Sequence, residues 1–593
     1  MTDDPKLRMR RARPMLALAG VAFAVGAVVG AHHSGSAAED LADGFVKAWV
    51  RGDYATMYGD IDAASRRHTS PSAFARAYEH ALATATATRL QIAGRPRNAA
   101  GGLVDLPVRV HTRLFGTLGL SFAVKTVEDG GEGTRVAWSR SLTFPGLLGG
   151  ERLTRKTALP RRATLLARDG TVLAESPARA AGAQAAEAVR ITPLGNFASV
   201  VLGTVGTAPA ARRTALEAQG VPRDALVGVS GLERALDDRL RGRPGGELLA
   251  ASPRPSAPER LLAYAASRPA PPVRTTVSPA IQRAAVTALG GQFGGIVALR
   301  PSTGQILGVA GIGLDGQQPP GSTFKMVTLT GVLQAHVAAA RDSFPYASFS
   351  TLDGVRLNNA NGENCGGSLE LAFAVSCNSV FAPLGVKLGA ARLVAAAEAF
   401  GFNQDPGIPG AAESTLPPPS EIEGELDIGS TAIGQGRVLA TPLQIATVAA
   451  TIADGGRRPR PTFLLERSAA PTRAISAGVA RTVRHLMTGV VRFGTGTSAA
   501  IRGVVVAGKT GTAELKTTCS SRAPQATSSE AGGEGCAGSA SEPKNTDAWF
   551  AAFAPAVHPR IAVCVMLVKA GAGGDTAAPV AREVLEAGLH GGA

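Results

Sequence analysis

Aromatic residues are scarce in this chain, at 5% of 593 residues, and charged residues reach only 18%. No zinc-ligand spacing is present, and basic residues do not interleave with aromatic ones. These absences argue against a nucleic-acid-binding protein, although the formal net charge is +15. That charge suits an anionic partner of another kind, such as anionic lipid or an acidic wall polymer. No repeat of about 20–50 residues recurs, which excludes a solenoid or propeller. Lysine is sparse among abundant alanine, glycine and arginine, so an alanine-rich stretch is weak evidence for a helix. Cysteines number five.

A hydrophobic share of 45% supports a folded chain, long enough for three or four domains. The first segment sets the compartment. Lys6, Arg8, Arg10, Arg11 and Arg13 in residues 1–14 precede the uncharged run 15–31. That run is at the short limit for crossing a bilayer, and its basic flank would stay cytoplasmic. We expect a cytoplasmic tail over 1–14, a single-pass anchor over 15–31, and everything after about residue 38 outside the cytoplasm. A cleavable signal peptide is the alternative, with Gly35-Ser36-Ala37 as its small-residue site. Gly26 and Gly30 make a GxxxG that composition explains as well as a dimer face does. Outside the cytoplasm, cysteines are expected to pair. Cys519 and Cys536 flank a Ser/Gly/Ala-rich segment and read as a staple, while Cys365 and Cys377 are a second candidate pair. Cys564 reads as a buried thiol. Spacing alone leaves the pairing open.

Residues 38–92 show helical periodicity (Leu41, Phe45, Ala48, Trp49), broken at Gly52-Asp53. From 93 to 145 the pattern turns to alternation, as in Leu103-Val104-Asp105-Leu106-Pro107-Val108-Arg109-Val110. Helices followed by strands predict a small α+β domain. Residues 163–174 read as a hairpin turning at Asp169-Gly170. The Pro/Ala/Arg-rich stretch 250–272 reads as a linker or domain junction. Beyond 273, strands are expected at 295–299, 306–310, 504–507, 549–553 and 561–568, with helices between and after them. The domain would then hold one sheet assembled from distant segments.

Two motif matches fail on their surroundings. Gly503-Val504-Val505-Val506-Ala507-Gly508-Lys509-Thr510 fits GxxxxGK[ST], but a phosphate loop must curl and then start a helix at the lysine. Three valines favour extended chain, and Gly511-Thr512 is a poor helix start. Gly311-Ile312-Gly313-Leu314-Asp315-Gly316 fits GxGxxG, but Pro319-Pro320 breaks the helix a pyrophosphate would need.

A third constellation is stronger: Ser322-x-x-Lys325, Ser376-x-Asn378 and Lys509-Thr510-Gly511. Ser322 after Pro319-Pro320-Gly321 reads as a helix cap, Ser376–Asn378 as a turn, and the lysine triplet as a strand end. Chemistry unites them better. A spacing of three puts Lys325 on the helix face of Ser322, and helix N-terminal N–H groups can stabilise an oxyanion. Lysine titrates near about 10.4 in water, so a base lysine needs burial or a second cation such as Lys509. Ser376 would relay the proton, and the Asn378 amide would hold a peptide group. Ser541-x-x-Lys544 is the one other Ser-x-x-Lys; it lies in the low-complexity segment and reads as accidental.

In this order the three motifs resemble those of the penicillin-binding proteins and serine β-lactamases. Gly321-Ser322-Thr323-Phe324-Lys325, Lys509-Thr510-Gly511-Thr512-Ala513-Glu514, Ile433-Gly434-Gln435-Gly436 and Ala548-Trp549-Phe550 are similar to the transpeptidase versions. Asp169-Gly170-Thr171-Val172-Leu173-Ala174 and Gly228-Val229-Ser230-Gly231-Leu232-Glu233 resemble the pedestal, or dimerisation, domain of class B members. Residues 38–148 resemble the NTF2-like domain of the methicillin-resistance type. The resemblance implies a multidomain α+β protein: an NTF2-like domain over 38–148, a pedestal over 155–265, and a transpeptidase domain over 273–593. That last domain would have the β-lactamase/transpeptidase-like fold, an antiparallel sheet flanked by helices.

It further implies a peptidoglycan DD-transpeptidase that needs no metal or organic cofactor and is blocked by β-lactams. Ser322 would attack the penultimate D-Ala carbonyl of a stem peptide. An amine of a neighbouring stem would then take the acyl group. The N–H groups of Ser322 and Thr512 would form the oxyanion hole. Thr510 and Thr512 hydroxyls, on a strand passing through Gly511, would receive the substrate carboxylate beside Lys509. No segment resembles a glycosyltransferase, so a membrane glycan polymerase is an expected partner. The insertion at about 517–544 departs from the family pattern and reads as a surface loop. The alternatives are a DD-carboxypeptidase, a β-lactamase-like hydrolase, or a non-enzymatic β-lactam sensor or wall-binding scaffold. The β-lactamase reading lacks a Glu-x-x-x-Asn segment after Ser376.

Overall fold

The computed structural model describes residues 36–590 except 132, 178–189, 255–256, 467–468 and 515–544. The expected anchor at 15–31, Cys519 and Cys536 lie outside the described residues. Among the described residues no single helix is long and apolar enough to cross a membrane.

Two compact units divide the chain. The first comprises 36–81, 89–110 and 117–152. Its leading helix, Ala37–Arg51, starts at a capping box of Ser36 and Glu39 and ends on Gly52, whose φ of 71° suits glycine. Ala42, Phe45, Val46, Ala48 and Trp49 form its buried stripe, with Trp49 edge-on to Phe122 at 4.8 Å. In the strand Leu103–Thr112, Val104, Leu106, Val108 and Val110 point inward while their neighbours face out, the period of two that the sequence shows.

The second unit holds 82–88, 111–116 and the chain from 153 onward. Leu165–Leu166 pairs antiparallel with Val172–Ala174, as the hairpin reading expects, and parallel with Val273–Arg274. Of the two readings of 250–272, the linker is corrected. Gly245–Ala251 and Arg260–Ala265 pair as antiparallel strands beside Arg152–Ala158, because Leu248, Leu249, Ala250 and Ala251 have a core to enter. Nearby, Arg162 bonds Glu233 at 2.6 Å and Asp237 at 2.8 Å in a buried ion network. Arg190 joins it through Glu233, and Arg212 and Arg241 join through Asp237. Burial would raise the Asp237 carboxyl, but the Gly228 N–H and Arg162 outweigh it and hold it below its usual range. Gly228 leaves room for this turn: a Cβ there would stand 1.8 Å from Glu233 O.

The catalytic-type domain begins with helix α1 (Pro279–Leu289) and strands β1 (Gly294–Leu299) and β2 (Ile306–Gly311). Helices α2 (Lys325–Gln334), α3 (Leu369–Ala374), α4 (Asn378–Leu388), α5 (Pro442–Ala453) and α6 (Ala477–Arg492) follow among others. Strands β3 (Ala507–Glu514), β4 (Thr546–Ala554) and β5 (Ile561–Leu567) and helix α7 (Ala577–His590) complete it. The sheet order is β2-β1-β5-β4-β3, antiparallel throughout. Distant segments therefore share one sheet, and β3 is its edge.

Both faces of the sheet are covered. Ile296, Ala298, Phe550, Val563 and Val565 pack with Ile281 of α1 and Val584 and Leu585 of α7. Val297, Leu299, Trp549, Ala551 and Cys564 face Ile445 and Val448 of α5 and Met326 of α2. This two-sided burial explains the continuous apolar runs of β1, β4 and β5. The strand expected at 504–507 is shifted along the chain. β3 starts at Ala507 and runs to Glu514, while Val505 stays 56% exposed, because pairing with β4 begins at Ala507↔Phe553.

Candidate active site

Ser322 sits in a 3-10 turn, Gly321–Phe324, that runs straight into α2. Pro320 holds the cap position and no side chain caps the turn, so the helix-cap reading of Ser322 is set aside. In 3-10 geometry side chains three apart eclipse, which puts Lys325 on the same face as Ser322. Gly321 (φ 51°) must be glycine: a Cβ would stand 2.6 Å from Thr512 O of β3. Gly321 N–H donates to Gly434 O at 2.9 Å, and Gly434 itself has no room for a Cβ, which would meet Gly321 O at 2.0 Å. The turn carrying Ser322 is thus wedged between the β3 edge and the 433–436 loop.

Lys325 is wholly buried. Its Nζ donates to Ser376 O at 2.7 Å, Asn378 Oδ1 at 2.7 Å and Ser376 Oγ at 3.3 Å, and lies 5.6 Å from the Phe381 ring centre. Burial first, and the charge of Lys509 second, pull its ammonium well below the ordinary lysine value. Lys509 is also wholly buried, and burial brings it down to about 7. Lys509 Nζ donates to Ser376 Oγ at 2.9 Å and Thr510 O at 3.1 Å, 5.5 Å from the Phe373 ring centre. Among the described residues the Ser322 hydroxyl makes no hydrogen bond.

Ser376 occupies the junction between α3 and α4 at φ 65°, a conformation a non-glycine residue adopts at a cost of about 1–3 kcal/mol. Asn378 starts α4; its Nδ2 donates to Asn358 O at 2.8 Å while its Oδ1 faces Lys325. On β3, Thr510 Oγ1 lies 2.5 Å from Thr495 Oγ1, and Thr512 Oγ1 accepts from Gly573 N–H at 3.4 Å. Cys365 and Cys377 are joined as a disulfide, and Cys564 is a buried free thiol raised well above its ordinary value by burial. No group of three or more His, Cys, Asp or Glu among the described residues is placed to hold a metal ion.

Residues 294–586 match the model of the penicillin binding protein transpeptidase domain. Residues 183–255 match the penicillin-binding protein dimerisation domain, and 37–151 the NTF2-like N-terminal transpeptidase domain. The chain is 34% identical to the peptidoglycan D,D-transpeptidase PbpA of Mycolicibacterium smegmatis, over 54% of this chain and 73% of that protein. It is 28% identical to stage V sporulation protein D of Bacillus subtilis, over 56% of this chain and 55% of that one. The solved structure of PBPA from Mycobacterium tuberculosis superposes with a TM-score of 0.55 at 27% identity, covering 72% of this chain and 99% of that one. An imipenem acyl-enzyme complex of the same relative gives 0.54. This chain is a class B penicillin-binding protein.

The folded penicillin-binding protein gathers Lys325, Ser376, Asn378 and Lys509 into one hydrogen-bonded cluster one turn from Ser322. Thr510, Gly511 and Thr512 lie along the β3 edge that flanks Gly321. Sequence reasoning missed Thr495, the aromatic walls Phe373 and Phe381, and the backbone of Asn358. Only the Gly494-Thr495-Gly496-Thr497 cluster after α6 hinted at a special turn, and nothing in its spacing tied it to Thr510.

Proposed function

We propose that this penicillin-binding protein is a peptidoglycan D,D-transpeptidase in which Ser322 carries the acyl group. The observation that carries the assignment is the meeting of two wholly buried lysines, Lys325 and Lys509, on Ser376 Oγ, beside a Ser322 hydroxyl left without a hydrogen bond among the described residues. Burial keeps Lys325 ready to be neutral, so it takes the Ser322 proton as Oγ attacks the penultimate D-Ala carbonyl. The N–H groups of Ser322 and Thr512 stabilise the oxyanion. The proton returns through Ser376 Oγ to the terminal D-Ala nitrogen as the C–N bond breaks, leaving an ester on Ser322. An amine of a second stem peptide then attacks that ester, forms the cross-link amide and releases the serine. Thr510 and Thr512 hold the donor carboxylate beside Lys509, and Asn378 orients Lys325. A β-lactam enters the same path as far as the ester.

The basic flank and the uncharged run 15–31 support a membrane anchor with the catalytic domain on the extracytoplasmic side. A membrane glycan polymerase would then supply the strands. The test is to incubate the full chain with fluorescent penicillin and follow the adduct. A long-lived adduct that disappears in Ser322→Ala is expected. Absence of any adduct would overturn the assignment, and rapid turnover would reassign the chain to β-lactam hydrolysis.

A further inference from the structure

Between the two catalytic side chains of Ser376-Cys377-Asn378 sits a cysteine that takes part in no step above. Cys377 is fully buried and cross-linked to Cys365, 12 residues earlier. The covalent ring so closed contains the strand Cys365–Ser368, the whole of α3 and Ser376. Phe373, Ala374 and Ser376 of that ring touch the site. The Phe373 ring lies beside Lys509 Nζ, and Ala374 O accepts from Thr495 N at 3.1 Å and from Thr495 Oγ1 at 3.3 Å. Ser376 takes both ammonium groups while held in the left-handed conformation that non-glycine residues avoid.

The anchor at the other end of the cross-link is also tied down. Cys365 pairs with Ala347 across a two-stranded ladder. Ala347 O accepts from Asn359 Nδ2 at 2.8 Å and from Ser379 Oγ at 3.2 Å, and Asn359 Oδ1 accepts from Ser379 N at 2.8 Å. The chain is therefore held on both sides of Asn378, at Cys377 by a covalent bond and at Ser379 by hydrogen bonds.

We propose that the Cys365–Cys377 disulfide positions Ser376 and Asn378 for acylation, Cys377 being a positioning residue rather than a catalytic one. This rests on the assignment of Ser322 as nucleophile. With the bond closed, Ser376 Oγ stays within reach of both lysines. Reduction by a dithiol, which is itself oxidised to a cyclic disulfide as the two cysteine sulfurs gain hydrogens, frees the turn to leave its left-handed conformation. Lys325 and Lys509 then lose their shared acceptor and proton transfer slows, while the carboxylate-binding residues on β3 stay in place.

The test compares the full chain in three forms: oxidised, reduced with dithiothreitol under native conditions, and with Cys365→Ser and Cys377→Ser combined. Fluorescent penicillin reads the acylation rate constant separately from the pre-acylation affinity, across pH, beside the melting temperature. The wild-type chain is expected to show no alkylatable thiol at Cys365 or Cys377 when unfolded without reductant. The double variant is expected to acylate at least ten-fold more slowly with affinity changed less than three-fold, and with its pH profile displaced. Thiols that alkylate without reductant would overturn the proposal. So would a double variant with a lower melting temperature but an unchanged acylation rate and pH profile, which marks a merely structural bond. Should the double variant fail to fold, the reduced wild-type chain, assayed below its own melting temperature, distinguishes the same two outcomes. A wild-type chain that forms no adduct would instead sink the nucleophile assignment itself.

Discussion

Lys325 and Lys509 reach the same oxygen, Ser376 Oγ, at 3.3 and 2.9 Å, from a helix and from a sheet edge. Two ammonium groups on one hydroxyl in a dry site repel each other, so one of them gives up its proton at moderate pH. Lys325 is lowered by burial and by the charge of Lys509, and Lys509 by burial alone.

Removing the charge of Lys509 while keeping its bulk, in Lys509→Met, takes away one of the two causes that depress Lys325. The Lys325 value then rises. With Lys325 as the proposed base, the acid limb of the pH–rate profile for penicillin acylation is expected to move to higher pH. An acid limb that stays put would show that Lys509 does not act on Lys325.

The same residue makes a stability prediction. Lys509 titrates at about 7 when folded, against 10.5 for a free lysine. Between those values the unfolded chain binds the extra proton, so the contribution of this site to stability rises as pH rises through that window. A melting-temperature series across it should flatten in Lys509→Met relative to the wild-type chain. Parallel curves would contradict the buried, proton-shedding lysine.

Thr495 is expected to hold the β3 edge for the substrate carboxylate through its 2.5 Å contact with Thr510. Thr495→Val should weaken pre-acylation affinity by roughly five-fold, on the order of 1 kcal/mol for one hydrogen bond, and leave the acylation rate constant nearly unchanged. Thr495→Ser should restore affinity. If both variants behave alike, the hydroxyl is not the operative group.

Gly434→Ala places a methyl against Gly321 O, where 2.0 Å is available, at a backbone φ of 76°. The turn carrying Ser322 must shift, and displacement by about 1 Å costs on the order of a hundred-fold in rate. Adduct formation should fall by about that factor while circular dichroism stays native; an unimpaired rate would mean the turn is not wedged.

Glu233→Ala should leave Arg190 buried without a carboxylate and Arg162 with Asp237 alone, a loss of about 3–5 kcal/mol. Differential scanning fluorimetry should show a clear fall in melting temperature, with penicillin acylation of the surviving folded protein unchanged. A small shift would indicate that water replaces the carboxylate.

Much of the site was legible in the chain because its chemistry is written in short spacings. Ser322 and Lys325 are three apart, and Lys509-Thr510-Gly511 is contiguous. The rejection of a phosphate loop also came from local preference, since the residues around Lys509 favour extended chain. What misled was local pattern without partners. Residues 250–272 looked like a linker because proline and arginine dominate part of it, yet Leu248 and Leu249 pull the adjoining strand into a core. The valines at 504–506 looked like a strand, but pairing with β4 starts only at Ala507.

By itself the sequence determined which residue types were available and in what order: a serine and lysine one turn apart, a Ser-x-Asn, a Lys-Thr-Gly, and apolar runs long enough for a doubly covered sheet. Those properties depend on neighbours along the chain. Only the tertiary structure decided that Lys509 meets Ser376 across 133 residues, that Thr495 meets Thr510, and that a disulfide lies beneath the Ser-x-Asn turn. The protonation of the two lysines was decided there too. A lysine loses its proton at moderate pH when water is removed from it, and burial is a property of the packed fold rather than of any segment.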